Sequence, residues 1–322
     1  MKTNSKKIIF MGTPEFAVPS LKAIHAAGYT VPLVVTMPDR PKGRGRQLTA
    51  SPVKYTAEDL CCTCIQPDTI CCENVVDQLQ DILPDFIVVV AFGYILPESI
   101  LKLPRYGAIN VHASLLPKYR GPAPIQWAII NGEKETGVTT MLMDKGLDTG
   151  DILLTATTEI LAEDNSKTLR DRLSNLGASL LIDTLNAFID NRINPIKQDH
   201  SQSNYAPLLK KSDGKINWSQ DATQIDAFIR GMTPWPGAFT FYNGKRYKII
   251  QAKPIDMQYD QHLFQPGQRV NISDTELTVA TTQGAISILS IQPESGKLLK
   301  ISDFLRGSRL PEDAKFGSGS FV

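Results

Sequence analysis

The sequence has no long apolar run and almost no net charge. Its longest apolar stretches are short, as at residues 86–92, whereas a membrane-spanning helix needs about 20 such residues. The 34 Lys and Arg residues nearly balance the 33 Asp and Glu residues, which leaves a net charge of +1 over 322 residues. Gly12, Pro14 and Glu15 interrupt the segment after the first basic residues, so no apolar signal-peptide core forms there. These absences exclude a membrane protein and predict a cytoplasmic one.

Cysteine is scarce and confined to one place. All five cysteines fall between Cys61 and Cys72, which excludes a disulfide scaffold spread along the chain. Their spacing does not give two C-x2-C pairs and no histidine lies near them, so a metal or redox site is the less favoured interpretation. We predict that these side chains pack as small apolar groups in a strand and a helix.

The remaining composition is that of a globular protein, with 42% apolar residues. At about 100–200 residues per domain, the length suggests two domains. Over residues 1–193, short β-branched runs alternate with amphipathic stretches, which predicts an α/β fold with a doubly wound, mostly parallel sheet. Residues 194–206 are polar and aperiodic, as is typical of a linker. Residues 207–322 hold short strands around an Asn243-Gly244 turn, which predicts a small β-barrel domain.

Positive charge is concentrated in two regions. Residues 205–322 carry 14 basic and 11 acidic residues, a net of +3, whereas residues 1–204 carry 20 and 22, a net of −2. Residues 39–54, called here the basic segment, contain a single acid, Asp39. Prolines and glycines in this segment predict a flexible loop without helix or strand, at the carboxyl edge of the sheet, where it could contact a phosphate backbone. The cations of the basic segment are Arg40, Lys42, Arg44, Arg46 and Lys54.

The first predicted strand ends in a glycine turn, Gly12-Thr13-Pro14. A dinucleotide site would need the G-x-G-x-x-G pattern, but Gly12 is the only glycine here and Pro14 lacks an N–H for a pyrophosphate. A tight turn between strand and helix is therefore the favoured interpretation.

One predicted strand presents an amide and an imidazole side by side. Asn110 and His112 lie two residues apart, so they share one face of the strand over residues 108–113. Both should emerge at its carboxyl end, before a loop rich in proline and glycine. An amide and an imidazole so placed can stabilise an oxyanion and move a proton. We therefore predict a catalytic role for both.

Three acids, Asp144, Asp148 and Asp151, punctuate the glycine loop that follows the next strand. Three carboxylates can bind a divalent cation, but acids beside turn glycines are also ordinary loop chemistry. One of these carboxylates could alternatively reach His112 and orient its ring.

These motifs together resemble the folate-dependent formyltransferases. The resemblance rests on Asn110 and His112, the S-L-L-P run at 114–117, Y-R-G at 119–121 and D-T-G at 148–150. It covers nearly the whole chain and narrows to the branch that formylates methionyl-tRNA, through the start F-M-G-T-P-E-F, the R-P-K-G-R-G-R run of the basic segment, and P-W-P-G-A at 234–238.

The resemblance implies roles for named residues. The family's catalytic Asn, His and Asp map onto Asn110, His112 and Asp148. The co-substrate is implied to be 10-formyltetrahydrofolate, and no metal is expected. The folate-binding residues implied are Phe92, Gly93, Ile95, Leu96, Ser114, Leu115, Leu116, Pro117 and Asp144. The second domain is implied to be an OB-like barrel that holds initiator methionyl-tRNA together with the basic segment, in a protein expected to be a monomer. The tRNA-binding residues implied are Arg40, Lys42, Arg44, Arg46, Lys210, Lys211 and Arg306.

Other functions stay open at this point. A sister enzyme acting on an amino sugar nucleotide or on glycinamide ribonucleotide would share the catalytic residues, although small acceptors do not need the basic segment. A formyltetrahydrofolate hydrolase or dehydrogenase usually carries a further domain, for which the 322 residues leave no room. A non-catalytic tRNA- or folate-binding protein would not need all three catalytic residues.

Overall fold

Two compact units make up the chain in the computed structural model, which describes residues 4–42, 45, 47–259, 264–271, 273–308 and 310–317. The first unit comprises Met1–Pro124, Glu135–Glu159 and Arg170–Ala206. The second unit comprises Ile125–Lys134, Ile160–Leu169 and Pro207–Val322.

Strands and helices alternate in the first unit and strands dominate the second. The strands are β1 (Asn4–Gly12), β2 (Tyr29–Val35), β3 (Arg40–Lys42), β4 (Gln47–Thr49), β5 (Cys64–Ile65), β6 (Phe86–Val90), β7 (Ala108–His112), β8 (Glu135–Leu142), β9 (Asp151–Glu159), β10 (Phe239–Tyr242), β11 (Lys245–Ile255), β12 (Leu277–Ala280), β13 (Ala285–Pro293) and β14 (Leu299–Lys300). The helices are α1 (Val18–Ala26), α2 (Pro52–Asp59), α3 (Glu73–Asp81), α4 (Glu98–Leu101), α5 (Pro124–Ile130), α6 (Ser166–Ile189), α7 (Ala222–Met232) and α8 (Ile301–Gly307).

The sheet of the first unit has the strand order β5-β2-β1-β6-β7-β8-β9. The five strands from β5 to β7 are mutually parallel, whereas β8 runs antiparallel to β7 and β9 antiparallel to β8. The apolar run of β6 is buried at every position, as a parallel strand covered on both faces should be. The predicted doubly wound, mostly parallel sheet is confirmed.

The second unit contains an antiparallel half-barrel. Its strands follow the order β10-β11-β13-β12, with β14 paired to β13. Asn243 and Gly244 join β10 to β11 with positive φ angles of 47° and 72°, as a two-residue hairpin turn requires. The prediction of a small antiparallel β domain after the α/β sheet is confirmed.

The basic segment contains strands where the sequence predicted none. β3 and β4 pair as an antiparallel hairpin, with Arg40 opposite Thr49 and Pro41 opposite Leu48. Proline is tolerated here because each strand of a two-stranded pair has a free edge, where a missing N–H costs no ladder hydrogen bond. The prediction of a loop without strand was therefore wrong for the base of this segment. Arg44 and Arg46, which fall between β3 and β4 in the sequence, lie outside the described residues.

The cysteines also differ from expectation. Cys61, Cys71 and Cys72 are exposed, and only Cys62 and Cys64 are half-buried. Helix α2 ends at Asp59 and α3 begins at Glu73, so most of the cysteines lie in the turns between these helices and β5. The prediction that they pack inside a strand and a helix was wrong except at Cys64.

No helix in the described part of the chain is both long enough and apolar enough to cross a membrane.

Candidate active site

Strand β7 holds Asn110 and His112 on one face, as the two-residue period predicts. Val111, between them, points to the opposite face, where its side chain lies beside Gly177 of α6. Asn110 is half-buried and His112 is 7% exposed. The buried backbone of β7, paired with β6 on one side and β8 on the other, therefore fixes where both polar side chains begin.

Asp148 reaches Asn110 and His112 from the loop that follows β8. Because β8 is antiparallel to β7, the loop after β8 starts beside the amino end of β7, where Met143 N–H donates to Ala108 O at 2.8 Å. The loop then returns along the sheet and brings Asp148 to β7. The Asp148 Oδ1 atom lies 3.7 Å from His112 Nδ1 and accepts from Asn110 Nδ2 at 3.5 Å. The structure thus brings the three predicted catalytic side chains together.

Two backbone groups complete the arrangement, and the sequence reasoning assigned neither. His112 Nε2 lies 2.9 Å from the carbonyl oxygen of Tyr119, and Gly121 N–H donates to Asp148 Oδ2 at 2.8 Å. Both groups belong to the Y-R-G motif, so the motif marked the position, but a residue pattern does not tell which backbone atoms it supplies. Tyr119 has a φ of 58°, a left-handed conformation that turns its peptide for these contacts.

The contact with Tyr119 determines which nitrogen of His112 carries a proton. A carbonyl oxygen can only accept a hydrogen bond, so Nε2 must donate and must be protonated. The other ring nitrogen, Nδ1, faces the Asp148 carboxylate. A proton on Nδ1 would place a positive imidazolium beside a negative carboxylate, and these opposite charges attract each other. The site can therefore take up one proton at Nδ1 while Asn110 offers an amide N–H nearby.

Ser114 does not provide a nucleophile. Its side chain is fully buried and its hydroxyl donates to Lys118 O at 2.7 Å. Thr139 from β8 binds the backbone of the same loop, since its hydroxyl donates to Ser114 O at 2.7 Å and accepts from Leu116 N–H at 3.1 Å. These bonds fix the shape of the 114–117 loop, whose residues were predicted to bind folate. Leu115 and Pro117, in the same loop, are half-buried.

The loop after β6 carries four more of the residues that were predicted to bind folate. Phe92 and Leu96 are buried, whereas Ile95 is 81% exposed. Gly93 has a φ of +106°, a conformation that favours glycine. Thr13, in the turn after β1, donates to Phe92 O at 2.7 Å, so the β1 turn supports this loop. The loop thus exposes one apolar side chain above a buried base.

The Asp144 carboxylate, also predicted to bind folate, hydrogen-bonds to groups of its own turn. It is exposed, and its Oδ1 accepts from Gly146 N–H at 2.9 Å and from Thr149 Oγ1 at 2.7 Å. It therefore stabilises the turn that leads to Asp148. No three His, Cys, Asp or Glu side chains cluster closely enough to hold a metal ion among the residues the structure describes.

Comparison with known proteins identifies the fold and its chemistry. Residues 6–185 match the family described as "Formyl transferase", and residues 208–309 match "Formyl transferase, C-terminal domain". The chain belongs to the formyl transferase family.

Full-length relatives extend this formyl transferase match. A protein named methionyl-tRNA formyltransferase from Caldanaerobacter subterraneus subsp. tengcongensis is 48% identical over 309 residues, covering 95% of this chain and 98% of its own. A second so named, from Citrifermentans bemidjiense, is 46% identical over 311 residues, covering 97% and 96%.

Solved structures share the formyl transferase fold at low identity. WlaRD, a sugar 3N-formyl transferase crystallised in the presence of dTDP and 5-N-formyl-THF, has a TM-score of 0.64 at 22% identity and covers 91% of this chain and 100% of its own. HypX from Aquifex aeolicus has a TM-score of 0.63 at 17% identity and covers 94% of this chain and 49% of its own. At these identities the likeness shows the fold alone.

Two of the cations predicted to bind tRNA in the basic segment of this formyl transferase, Arg40 and Lys42, belong to β3. Arg40 in β3 is exposed, and Lys42 ends β3. At the base of the hairpin, Asp39 accepts from Gln66 Nε2 at 2.6 Å and from Lys54 Nζ at 3.1 Å. The hydrogen bond from the Gln66 amide, and to a lesser extent the one from the Lys54 ammonium, lowers the pKa of Asp39 below its ordinary value. Lys54 is therefore committed to an ion pair.

The cations predicted in the second unit occupy two places. Lys210 and Lys211 are exposed before α7, where Lys210 N–H donates to Asp213 Oδ2 at 2.7 Å. Arg306 lies in α8 and pairs with Asp303 on the same helix. The Arg306 charge is partly neutralised by this pairing, whereas its side chain stays 73% exposed.

Proposed function

We propose that this protein transfers the formyl group of 10-formyltetrahydrofolate to the α-amine of methionine on initiator methionyl-tRNA, giving N-formylmethionyl-tRNA for translation initiation. The observation that carries the proposal is the 48% identity to a methionyl-tRNA formyltransferase over 95% of this chain. The meeting of Asn110, His112 and Asp148 in one site supports the chemistry. These three are the catalytic residues that we propose.

The reaction is acyl transfer without a covalent enzyme intermediate. The amine nitrogen of methionine attacks the formyl carbon, a C–N bond forms, and the formyl oxygen becomes an oxyanion. The Asn110 amide donates a hydrogen bond to this oxyanion. Removing one such donor typically costs about 2.7–4 kcal/mol of transition-state stabilisation.

His112 manages the single proton that changes place. Its Nε2 already carries a proton, so Nδ1 is the atom that accepts the proton lost by the attacking amine. The imidazolium that results faces Asp148 Oδ1 at 3.7 Å. When the bond between the formyl carbon and N10 of the folate breaks, the same proton passes from His112 to N10. The products are a formylated amine and a protonated N10, so the proton balance closes.

The two acceptor-binding regions that we propose are the basic segment and the C-terminal part of the chain. Arg40, Lys42, Arg44 and Arg46 would contact phosphates of the tRNA, together with Lys210, Lys211 and Arg306. We further propose that residues 1–193 form the folate-binding catalytic domain, 194–206 the connection, and 207–322 the tRNA-binding domain. The net +3 charge of residues 205–322 supports this division of labour.

A competition between acceptors tests the function. Purified protein and labelled 10-formyltetrahydrofolate are mixed with initiator methionyl-tRNA, with glycinamide ribonucleotide, or with a dTDP-amino sugar, and label on each acceptor is counted. We expect transfer to methionyl-tRNA and at most traces to the small acceptors. Efficient transfer to a small acceptor, with none to methionyl-tRNA, would overturn the proposal in favour of a sister enzyme.

We also propose that the protein works as a monomer in the cytoplasm, where charged tRNA and folate are both present. Light scattering on the purified protein, with and without tRNA, measures its mass directly. A stable dimer at working concentration would contradict the monomer.

A further inference from the structure

The segment predicted as a linker packs against the catalytic loops. Residues 196–206, called here the return segment, belong to the first unit, together with the three catalytic residues. Ile196 exchanges two backbone hydrogen bonds with Ile152 of β9, each of 2.8 Å. From there the chain passes over the two loops that carry Asp148 and Tyr119. Two of its side chains bind those loops directly.

Gln198 joins the Asp148 loop to Arg120. Its amide nitrogen donates to Asp148 O at 2.9 Å and to Gly150 O at 2.7 Å. Its amide oxygen accepts from Nε and from one terminal nitrogen of Arg120 at 3.1 and 2.6 Å. A glutamine amide has two N–H donors and two acceptor lone pairs, so all four are used here. The residue is 6% exposed, so these bonds are not readily replaced by water.

Asn204 holds the Tyr119 loop from the other side. Its side-chain oxygen accepts from Tyr119 N–H, and its backbone oxygen accepts from Arg120 N–H at 3.0 Å. Ala206 N–H then donates to Arg120 O at 2.7 Å. The Tyr119 residue so held is the one whose carbonyl accepts the hydrogen bond from His112 Nε2.

Both held residues have backbone conformations that need support. Tyr119 and Asp148 have φ angles of 58° and 53°, in the left-handed region that residues other than glycine adopt at a cost of order 1–3 kcal/mol each. Such conformations persist where the surrounding structure fixes them. Gln198 and Asn204 supply hydrogen bonds to backbone atoms of these two residues.

We infer that Gln198 and Asn204 are positioning residues for the reaction. Gln198 fixes the turn that aims the Asp148 carboxylate at His112 Nδ1. Asn204 accepts from the N–H groups of both peptides that flank Tyr119, and the second of these peptides carries the carbonyl that keeps the proton on His112 Nε2. The return segment therefore positions the protein groups that face both ring nitrogens of His112. This inference rests on the proposed function for its kinetic test, but its spectroscopic test does not depend on the substrate.

Gln198→Glu tests the first half. The variant keeps the size and the acceptor for Arg120 but replaces the N–H donors with an oxygen, so both bonds to the Asp148 loop are lost. Because two buried hydrogen bonds are removed, we expect kcat to fall about tenfold to hundredfold, with KM for folate and for methionyl-tRNA changed less than about twofold. Gln202→Glu is the matched control, since Gln202 is exposed in the same segment and its amide donates to Asp199 at 2.9 Å rather than to a catalytic loop. Its kcat should equal that of wild type.

Asn204 tests the second half. Asn204→Leu removes the acceptor for Tyr119 N–H at similar volume, whereas Asn204→Asp retains it. We expect Asn204→Leu to lower kcat about tenfold for the removal of one hydrogen bond from the Tyr119 peptide, and Asn204→Asp to restore most of it. In proton NMR, the hydrogen-bonded Nε2–H of His112 should shift or exchange faster in Asn204→Leu and stay in place in Asn204→Asp.

The outcomes separate this inference from the proposed function. If wild type does not formylate methionyl-tRNA, the function fails, and the NMR signal of His112 alone decides the inference. If wild type is active but Gln198→Glu and Asn204→Leu both keep wild-type kcat and an unmoved His112 signal, the inference is overturned. If one variant does not fold, the other variant decides. Equal changes in kcat and in both KM values would show a merely structural role and would overturn the inference.

Discussion

Asp148→Asn removes the negative charge beside His112 while keeping the shape of the side chain. In the structure, Asp148 Oδ2 accepts from Gly121 N–H at 2.8 Å, and the variant's amide oxygen can keep this bond. Its NH2 group then points toward His112 and toward the NH2 group of Asn110. The new NH2 group therefore faces another donor at Asn110, and the imidazolium formed in the reaction loses its counter-charge.

The size of the effect follows from the distance. At the 3.7 Å that separates Nδ1 from Oδ1, two unit charges in an effective dielectric of about 20 attract each other by about 4.5 kcal/mol. The side chains of His112 and Asp148 are 8% and 12% exposed, so solvent still screens part of this attraction. We therefore expect a loss of about 3 kcal/mol from the transition state, which is about a hundredfold in kcat.

Single-turnover formyl transfer with both substrates saturating measures this loss, and equilibrium binding of folate should be unchanged. Asp151→Asn, at the first position of β9, is a matched control for the loss of one acidic charge and should retain wild-type kcat. If kcat of Asp148→Asn lies within about twofold of wild type, which is under about 0.5 kcal/mol, the carboxylate does not stabilise an imidazolium and the reasoning is refuted.

Further predictions concern the basic segment, the thiols, metals and the capping of α2. Replacing Arg40, Lys42, Arg44 and Arg46 with Gln should raise KM for methionyl-tRNA and leave folate affinity unchanged. The salt slope of tRNA binding should fall by about 0.7–0.9 for each phosphate that is no longer neutralised. A KM within about twofold of wild type would place tRNA binding elsewhere. Burial raises the pKa of the Cys64 thiol to about 11. The rate of Cys64 alkylation, followed by mass spectrometry, should therefore rise about tenfold per pH unit between pH 8 and 10. An alkylation rate that levels off below pH 9 would contradict this. Treatment with a chelator should leave formyl transfer intact once Mg²⁺ for the tRNA is restored by itself, whereas a requirement for a different ion would show a metal site. Ser51 is the N-cap of α2: its hydroxyl accepts from Lys54 N–H at 3.0 Å and hydrogen-bonds the Thr36 hydroxyl at 2.7 Å. Ser51→Ala should therefore lower the free energy of unfolding, measured in urea, by about 1–3 kcal/mol. An unchanged urea midpoint would contradict a stabilising role for this cap.

Local patterns were enough to predict the central architecture. The alternation of apolar runs with amphipathic stretches predicted the mostly parallel sheet, and the two-residue period placed Asn110 and His112 on one face of β7. These features depend on a few neighbouring residues, so a sequence displays them directly. The pairing of His112 with Asp148 is different, because three acids fitted the local pattern equally well and only the family resemblance singled out Asp148.

The sequence could not show features that depend on segments meeting in space. Gln198 binds the Asp148 loop from 50 residues away, in a stretch whose polar composition predicted only a linker. The hairpin of β3 and β4 was missed because proline and glycine argue against strands unless a free edge is available. The exposure of Cys61, Cys71 and Cys72 depended on where α2 ends and α3 begins, and these helix boundaries are poorly marked in the sequence.

The measurement that tests the central claim most directly follows labelled formyl from 10-formyltetrahydrofolate to initiator methionyl-tRNA. Wild-type protein should place the label on the methionine nitrogen. Variants Asn110→Ala and His112→Ala should bind folate but transfer label at least about a hundredfold more slowly, as expected when a group that acts on the transition state is removed. Absence of label on methionine with the wild-type protein, or undiminished transfer by His112→Ala, would contradict the account.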